Sequence, residues 1–106
     1  MNAPALGAVV SSSDGLLRVA LDGEIDLANE EDVVTTVAAA IAQSNPSQMV
    51  LDLRSVTFMD SSGLRAVLRC RRVAENQGVR FRVSVVEGPV TRLFSVAGVA
   101  EWFNLE

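Results

Sequence analysis

The sequence predicts a single α/β domain built from a mixed β-sheet of four to five strands packed by helices. Short runs of β-forming residues alternate with two longer stretches in which apolar residues recur every three or four positions. The chain has 106 residues, which is enough for one buried core without disulfides. No repeat or long linker divides the chain. We therefore expect one domain over residues 1–106, with residues 1–5 as a flexible N-terminus.

The first two apolar runs predict a β-hairpin. Leu6–Val10 and Leu16–Leu21 are rich in β-forming residues, and Ser11–Gly15 between them ends in Asp-Gly, a dipeptide typical of hairpin turns. The second run alternates apolar residues with polar or small ones, which indicates a strand with one face toward the core. The residues expected on that face are Leu17, Val19 and Leu21.

The first helix is expected over Asn29–Ser44, followed by a buried strand. Its inward stripe consists of Val33, Val34, Val37, Ala38 and Ile41. Asn29 is the expected N-cap, the acidic residues 30–32 suit the positive end of the helix dipole, and Asn45-Pro46 ends the helix. The short apolar run Met49–Leu53 then predicts a central strand buried on both faces.

The second helix is expected over Ser62–Gln77, with Gly78 in the C-terminal capping position. Its inward residues are expected to be Leu64, Val67, Leu68 and Val73. Three arginines at i, i+4 and i+7 predict a solvated face: Arg65, Arg69 and Arg72. Cys70, the single cysteine, is interpreted as a half-buried apolar group without a redox role.

The last third of the chain predicts a strand, a short helix and a closing tail. In Val79–Val86, valines and phenylalanine alternate with arginine and serine, which is typical of a strand. A short helix is expected over Val90–Val96, because Pro89 suits its start and Ala97-Gly98 its end. In the tail, the aromatic residues are expected to seal the core together with a leucine: Trp102, Phe103 and Leu105.

The charged residues exclude several kinds of enzyme. All nine basic residues are arginine, opposed by thirteen acidic residues, and the chain has no histidine or lysine. Catalytic sites that depend on histidine are therefore impossible, and a P-loop or a Schiff-base enzyme is ruled out by the missing lysine. Four carboxylates near strand ends are better explained as caps and solvated groups than as metal ligands: Glu24, Asp26, Asp52 and Asp60. We expect neither a metal nor a cofactor.

Charge and hydropathy also bear on partners and location. The net charge of −4 argues against direct nucleic-acid binding. No stretch is apolar enough to span a membrane, and residues 1–13 lack the basic segment of a signal peptide. We therefore expect a cytoplasmic protein that binds other proteins or is modified by them.

The stretch around Asp60-Ser61-Ser62-Gly63 is the most informative part of the chain. We expect the buried strand to end near Leu53, a connection anchored by Phe58 and Met59, and a helix beginning near Asp60. Two hydroxyls at a helix N-terminus beside a carboxylate make an exposed site that tolerates a phosphate. Serine and aspartate are also common N-cap residues, so these residues alone are explained more often by a helix cap.

Four segments together resemble the STAS domain of bacterial anti-sigma factor antagonists. Phe58–Leu64, preceded by Leu-Asp-Leu, is similar to the signature of that family, and Gly23–Ala28 resembles its Gly-Glu-(Ile/Leu)-Asp-x-Ala stretch before the first helix. Gly78–Phe81 and Leu93–Val99 are similar to the segments that lead into the next strand and end the third helix. The resemblance extends from about Leu16 to Leu105.

The resemblance implies a partner-switching regulator of transcription and not an enzyme. In that family the unphosphorylated antagonist binds an anti-sigma factor that is itself a serine kinase, and so releases a sigma factor. The kinase phosphorylates the antagonist on the first serine of the motif, and a metal-dependent serine phosphatase reverses this. By position, the phosphoacceptor is Ser61. The partner-binding residues implied by the motifs are Asp26, Asp60, Ser61, Ser62 and Gly63, and Arg65, which follows the motif, is a further candidate.

The sequence leaves alternatives open for the arginines and for the function. Arg65 departs from the small residues that the family often has after Gly-Leu. The guanidinium groups of this helix could pair with acidic residues of a partner, or with the phosphate itself. A STAS subunit of a lipid-transport or stress-sensing complex, which binds without a phosphorylation cycle, is the alternative function. A small enzyme is a third, which the missing histidine and lysine disfavour.

Overall fold

The strands of this fold join in a single five-stranded sheet, as a computed structural model shows for residues 6–99 and 104–105. The strands are β1 (Gly7–Ser13), β2 (Leu16–Ile25), β3 (Gln48–Met59), β4 (Arg80–Ser84) and β5 (Asn104–Leu105). The helices are α1 (Glu30–Ser44), α2 (Ser61–Asn76) and α3 (Pro89–Val96). The predicted α/β class with a mixed sheet is confirmed. The expected flexible residues 1–5 and the expected seals Trp102 and Phe103 lie outside the described residues, as does the side chain of Leu105.

The sheet has the strand order β1-β2-β3-β4-β5. Only β1 and β2 are antiparallel, and their two-residue turn has positive φ at both Asp14 (55°) and Gly15 (80°). Positive φ at both positions matches the right-handed twist of the flanking strands, so the predicted Asp-Gly turn is confirmed. Ser11–Ser13, expected in the turn, instead belong to β1. They tolerate strand geometry there because β1 is an edge strand exposed along its length and needs no apolar alternation.

One face of the sheet supplies most of the strand contribution to the core. The parallel register pairs Leu17 with Met49 and Val19 with Leu51, and all four side chains are fully buried. Inward residues of all three helices join them in one apolar cluster. The predicted inward faces of β2, α1 and α2 are largely confirmed. The exceptions lie at the margins, where Ala38, Leu68 and Val73 are only half-buried.

β3 is longer than the sequence indicates. The strand continues from the predicted Met49–Leu53 to Met59, because β2 also extends and pairs with it as far as Ile25. Two register shifts in β2 accommodate this long pairing. The expected connection with two apolar anchors is therefore wrong: Met59 is buried, whereas the Phe58 side chain is 47% exposed on the strand.

β4 is shorter than predicted and α3 begins one residue earlier. β4 stops at Ser84 because its partner residues on β3 end at Asp52, although Val85 beyond it is still buried. Pro89 is the first residue of α3, where its missing N–H costs no hydrogen bond. The Thr91 hydroxyl accepts a hydrogen bond from the Gly88 N–H at 2.9 Å, which fixes the start of the helix. Among the described residues, no helix is both long and apolar enough to cross a membrane.

Cys70 is fully buried between α1 and α2, and the expectation of a half-buried side chain is wrong. Small neighbours on α2, such as Ala66 and Ala74, let the helices approach closely enough to enclose it. Burial raises the pKa of the thiol to about 12, since the thiolate loses its hydration.

We therefore expect the Cys70 thiol to be unreactive in the native protein. A disulfide reagent such as 5,5′-dithiobis(2-nitrobenzoate) at pH 8 should label less than about a tenth of the protein molecules in an hour. In denaturant it should label all of them, as measured by absorbance and intact mass. Native labelling as fast as that of a small free thiol would contradict the buried position.

Candidate functional site

The Asp60-Ser61-Ser62-Gly63 motif lies where two parallel strands end side by side. Ile25 at the end of β2 is paired with Met59 at the end of β3. The next residues therefore lie at one edge of the sheet, where Asp26 starts the loop before α1 and Asp60 directly precedes α2. Crevices at the carboxyl ends of parallel strands are the usual place for functional groups in such folds. The structure thus brings together the two segments that the sequence singled out separately.

Asp60 is the N-cap of α2, which begins at Ser61 and not at the expected Ser62. The Asp60 backbone is extended (φ −108°, ψ −168°), and its Oδ1 accepts a hydrogen bond from the Gly63 N–H at 3.0 Å. Ser61 is exposed and Ser62 is half-buried. Within the described residues, the Ser61 hydroxyl makes no hydrogen bond. Capping is therefore carried out by the carboxylate, and the Ser61 hydroxyl is left accessible at the surface.

Gly63 allows the first turn of α2 to pack directly on the end of β2. It is buried, and a Cβ atom placed on it would lie 2.7 Å from the Ile25 carbonyl oxygen and in collision with Cγ of Met59. No other residue type fits without moving the helix. Gly63 therefore acts by setting the position of Ser61 and has no exposed surface of its own to offer a partner.

The loop between β2 and α1 is ordered by its own polar side chains. Asp26 Oδ1 accepts from the Ala28 N–H at 3.0 Å. Asn29 was expected to cap α1 through its side chain, but it turns back into the loop instead: its Oδ1 accepts from the Asp26 N–H, and its Nδ2 donates to the Glu24 carbonyl oxygen at 2.8 Å. These bonds hold Leu27, which is 70% exposed, at the surface beside the motif.

The expected solvated arginine face is exposed to solvent, but two of its three members also form ion pairs that the sequence did not predict. Arg65 forms a bidentate pair with Glu30, through Nε at 2.8 Å and Nη2 at 2.7 Å. Arg69 contacts Glu30 at 3.2 Å and Glu31 at 3.0 Å and 3.1 Å. The acidic first turn of α1 therefore pairs across the helix interface with the arginines of α2. Arg72 alone of the three makes no ion pair within the part of the chain that the structure describes.

These ion pairs determine the ionisation of Glu30. The hydrogen bond from Arg65, joined by Arg69 and opposed by desolvation, lowers the pKa of Glu30 from its ordinary value of 4.5 to about 2. Arg69 likewise lowers the pKa of Glu31. The sequence indicates only that these acids suit the helix dipole, because pairing between helices leaves no spacing pattern from which their partners could be predicted.

Glu30 should make the stability of the protein sensitive to acid. A folded-state pKa below the unfolded one means that the stabilisation is complete above pH 4.5 and is lost as the pH falls toward 2. We expect the melting temperature of the wild type to fall more steeply between about pH 5 and pH 2 than that of Glu30→Gln. Thermal unfolding followed by circular dichroism at low salt tests this, and parallel curves for the two proteins would contradict it.

Three of the four carboxylates considered as metal ligands accept hydrogen bonds from other groups of the chain. Asp52 pairs with Arg18 at 2.9 Å and with Arg54 at 2.8 Å, and the hydrogen bonds from Arg54 lower its pKa. Asp26 and Asp60 accept backbone hydrogen bonds, as described above. No group of three or more potential ligand residues in the described ranges could hold a metal ion.

Comparison with known proteins identifies the family of this chain. The STAS domain family matches residues 8–106. An anti-sigma F factor antagonist of Paenibacillus polymyxa is 34% identical over 85 residues, which are 80% of this chain and 73% of that protein. The anti-sigma-F factor antagonist of Mycobacterium tuberculosis is 33% identical over 93 residues, covering 87% of this chain and 74% of that protein.

A solved structure gives the same result. The crystal structure of an anti-sigma factor antagonist from Mycobacterium paratuberculosis superimposes with a TM-score of 0.82 at 27% identity, covering 99% of this chain and 89% of that chain. The resemblance found from the motifs is therefore confirmed by whole-chain similarity in sequence and in fold. This chain belongs to the STAS-domain family of anti-sigma factor antagonists.

Proposed function

We propose that this protein is a partner switch. In its unphosphorylated form it binds an anti-sigma factor of the serine-kinase type, and phosphorylation of Ser61 by that kinase ends the binding. A metal-dependent serine phosphatase restores the binding form. The names of the relatives support an anti-sigma factor as the partner. We place the exchange in the cytoplasm, because transcription takes place there.

The proposal is carried by one observation: Asp60 caps α2, and the Ser61 hydroxyl is not used for capping. An N-cap serine would use its oxygen to accept a backbone N–H, which would compete with modification. Here Asp60 caps the helix, and the neighbouring hydroxyl is exposed without a hydrogen bond in the described structure. A kinase can therefore reach the Ser61 oxygen without breaking the start of α2.

The surroundings of Ser61 support its place in a docking surface. Leu27 and Phe58 are large exposed apolar side chains, the first two residues after Ile25 and the second next to its strand partner Met59, on the two segments that meet at this edge. Exposed apolar groups rimmed by charged ones are typical of protein interaction sites. Asp26 and Asp60 supply that rim.

A phosphate on Ser61 would act locally. It adds a charge of about −2 to a chain of net charge −4, at a position already next to Asp60. The core beneath the motif is closed by Gly63 and Met59, so the added group stays at the surface. Repulsion and bulk at the interface, without refolding, are sufficient to displace a partner that covers this edge.

Phosphorylation by cognate kinases tests the proposal. The protein is incubated with Mg²⁺, ATP and each purified anti-sigma factor of the serine-kinase type encoded in the same genome, and the modified residue is located by mass spectrometry. We expect one phosphate, on Ser61, from at least one kinase. Ser61→Ala should abolish the modification, and the matched control Ser62→Ala should retain it.

Two outcomes would reject the proposal. Phosphate on another residue would remove Ser61 from the switch. Stable binding to a partner with no modification by any of these kinases would favour the alternative of a STAS subunit that works without a phosphorylation cycle.

A further inference from the structure

We propose that Arg65 binds the phosphate carried by Ser61. To do so, Arg65 gives up its ion pair with Glu30, and Arg69 keeps its own ion pair with Glu30. The source of the phosphate rests on the proposed function, whereas the ion-pair geometry is independent of it. The ligand is a phosphate monoester dianion, and its binding group is the guanidinium of Arg65. Modification would thus exchange one ion pair for another.

The spacing of the two residues makes the contact possible. Ser61 and Arg65 are four residues apart on α2, so their side chains lie on the same face with Cβ atoms about 5–6 Å apart. An anion placed four residues before a cation is the favourable orientation on a helix. The hydrogen bond to Glu30 is the main cause that raises the pKa of Arg65, and the charge of Asp60, next to Ser61, makes the smallest contribution in the same direction. The guanidinium therefore lies within electrostatic reach of the start of the helix.

Glu30, the present partner of Arg65, keeps a cation when Arg65 leaves it. The Glu30 side chain is only 9% exposed, so the folded protein would be destabilised if this carboxylate lost every cation. It is held by two arginines, however, and Arg69 at 3.2 Å remains when Arg65 leaves. The Arg65 side chain is 58% exposed and is free to rotate toward the phosphate. A dianion competes well with a single carboxylate for one guanidinium, particularly in bidentate geometry.

The other arginines of α2 are poorly placed for this role. Arg69 is two turns beyond Ser61 and is already bonded to two carboxylates. Arg71 pairs with Glu75 at 3.1 Å, and Arg72 is three turns from Ser61. Arg65 is thus the one arginine of α2 within one turn of the hydroxyl.

The exchange extends the effect of the phosphate beyond its own position. The Arg65–Glu30 pair ties the first turn of α1 to the first two turns of α2. Its loss would release one of the contacts that hold α1 next to the loop carrying Asp26 and Leu27. Arg65 would neutralise part of the phosphate charge, and the charge of Glu30 would be neutralised less than before, by Arg69 alone.

The test uses the full chain with phosphoserine inserted at position 61 during translation, so no kinase is needed. The second pKa of the phosphate, ordinarily about 6, is measured by ³¹P NMR in the otherwise wild-type chain and in Arg65→Gln, Arg65→Lys and Arg72→Gln. We expect that pKa to rise by about half a unit in Arg65→Gln, since the stabilising cation is gone. It should rise less in Arg65→Lys and stay unchanged in the matched control Arg72→Gln.

A second readout follows Glu30. Its side-chain carboxyl signal is titrated by ¹³C NMR with and without the phosphate, and we expect its midpoint to move upward by about one unit when Arg65 leaves. Equal phosphate pKa values in Arg65→Gln and Arg72→Gln would overturn the proposal. An unchanged Glu30 midpoint would overturn the exchange. Neither result depends on which kinase, if any, modifies Ser61, so failure here is distinguishable from failure of the proposed function.

Discussion

Replacing Gly63 with alanine is expected to destabilise the protein by about 1–3 kcal/mol, the usual cost of overpacking a well-filled core. In an ordinary helix interior the same change would stabilise by up to ~1 kcal/mol, because glycine has the greater backbone freedom to lose. The two effects have opposite signs, so the experiment distinguishes an ordinary helix position from one that requires glycine.

The local packing decides the sign. The added methyl group would lie 2.7 Å from the Ile25 carbonyl oxygen, which belongs to the backbone of β2 and cannot rotate away. The Met59 side chain on the other side is flexible and can adjust. Relief therefore requires the first turn of α2 to move outward, which would weaken the Asp60 cap at 3.0 Å and displace Ser61.

Chemical denaturation gives the change in the free energy of unfolding. Ser62→Ala, one residue earlier in the same turn, is the matched control and should change stability by less than about 0.5 kcal/mol. Gly63→Ala should also be phosphorylated more slowly at Ser61 by a cognate kinase, since the hydroxyl has moved. A Gly63→Ala protein more stable than the wild type would show that the close approach to Ile25 does not constrain the helix.

The hairpin and the helices could be predicted from sequence because each leaves a local pattern. Asp14-Gly15 supplies the two positive φ angles of a two-residue turn. Val33, Val37 and Ile41 recur at the helical period and are all buried. The family motif added the position of the candidate site, because it has a fixed place between a strand and a helix.

The length of β3 could not be predicted because its second half has no burial pattern. Arg54 and Ser55 are exposed, and the segment is a strand only because the end of β2 pairs with it. The exposure of Phe58 could not be predicted for the same reason, since an aromatic residue next to a buried strand is usually buried in the core. Its exposure becomes understandable once the segment is seen to extend to the edge that carries the motif.

The pairing of the arginines depends on tertiary structure. Arg65 and Glu30 are 35 residues apart, and nothing in either local sequence specifies the other as a partner. From the sequence, the arginines could form a solvated face, bind a partner or bind a phosphate, but an ion pair with Glu30 could not be predicted. Gly63 is a similar case: the motif marked it, but only the contact with β2 explains why it must be glycine.

Replacing Ser61 with aspartate is expected to weaken binding to the cognate anti-sigma factor by roughly 10–100-fold, or about 1.4–2.8 kcal/mol. The new carboxylate adds one negative charge beside Asp60, in the exposed edge that also carries Leu27 and Phe58. Like charges brought together in an interface cost more than at a free surface, because the partner removes water from them.

Two variants separate charge from size and position. Ser61→Asn has nearly the shape of aspartate without its charge and should bind much more tightly than Ser61→Asp. Ser11→Asp adds the same charge on the exposed edge strand β1, away from the motif, and should bind as the wild type does. Isothermal titration calorimetry at low and high salt measures all three, and the loss of affinity in Ser61→Asp should shrink with salt as repulsion is screened.

Equal weakening by asparagine and aspartate would assign the effect to bulk, and wild-type affinity for Ser61→Asp would remove Ser61 from the interface. Because each variant changes one property at one position, the set decides whether a switch at this edge operates through charge.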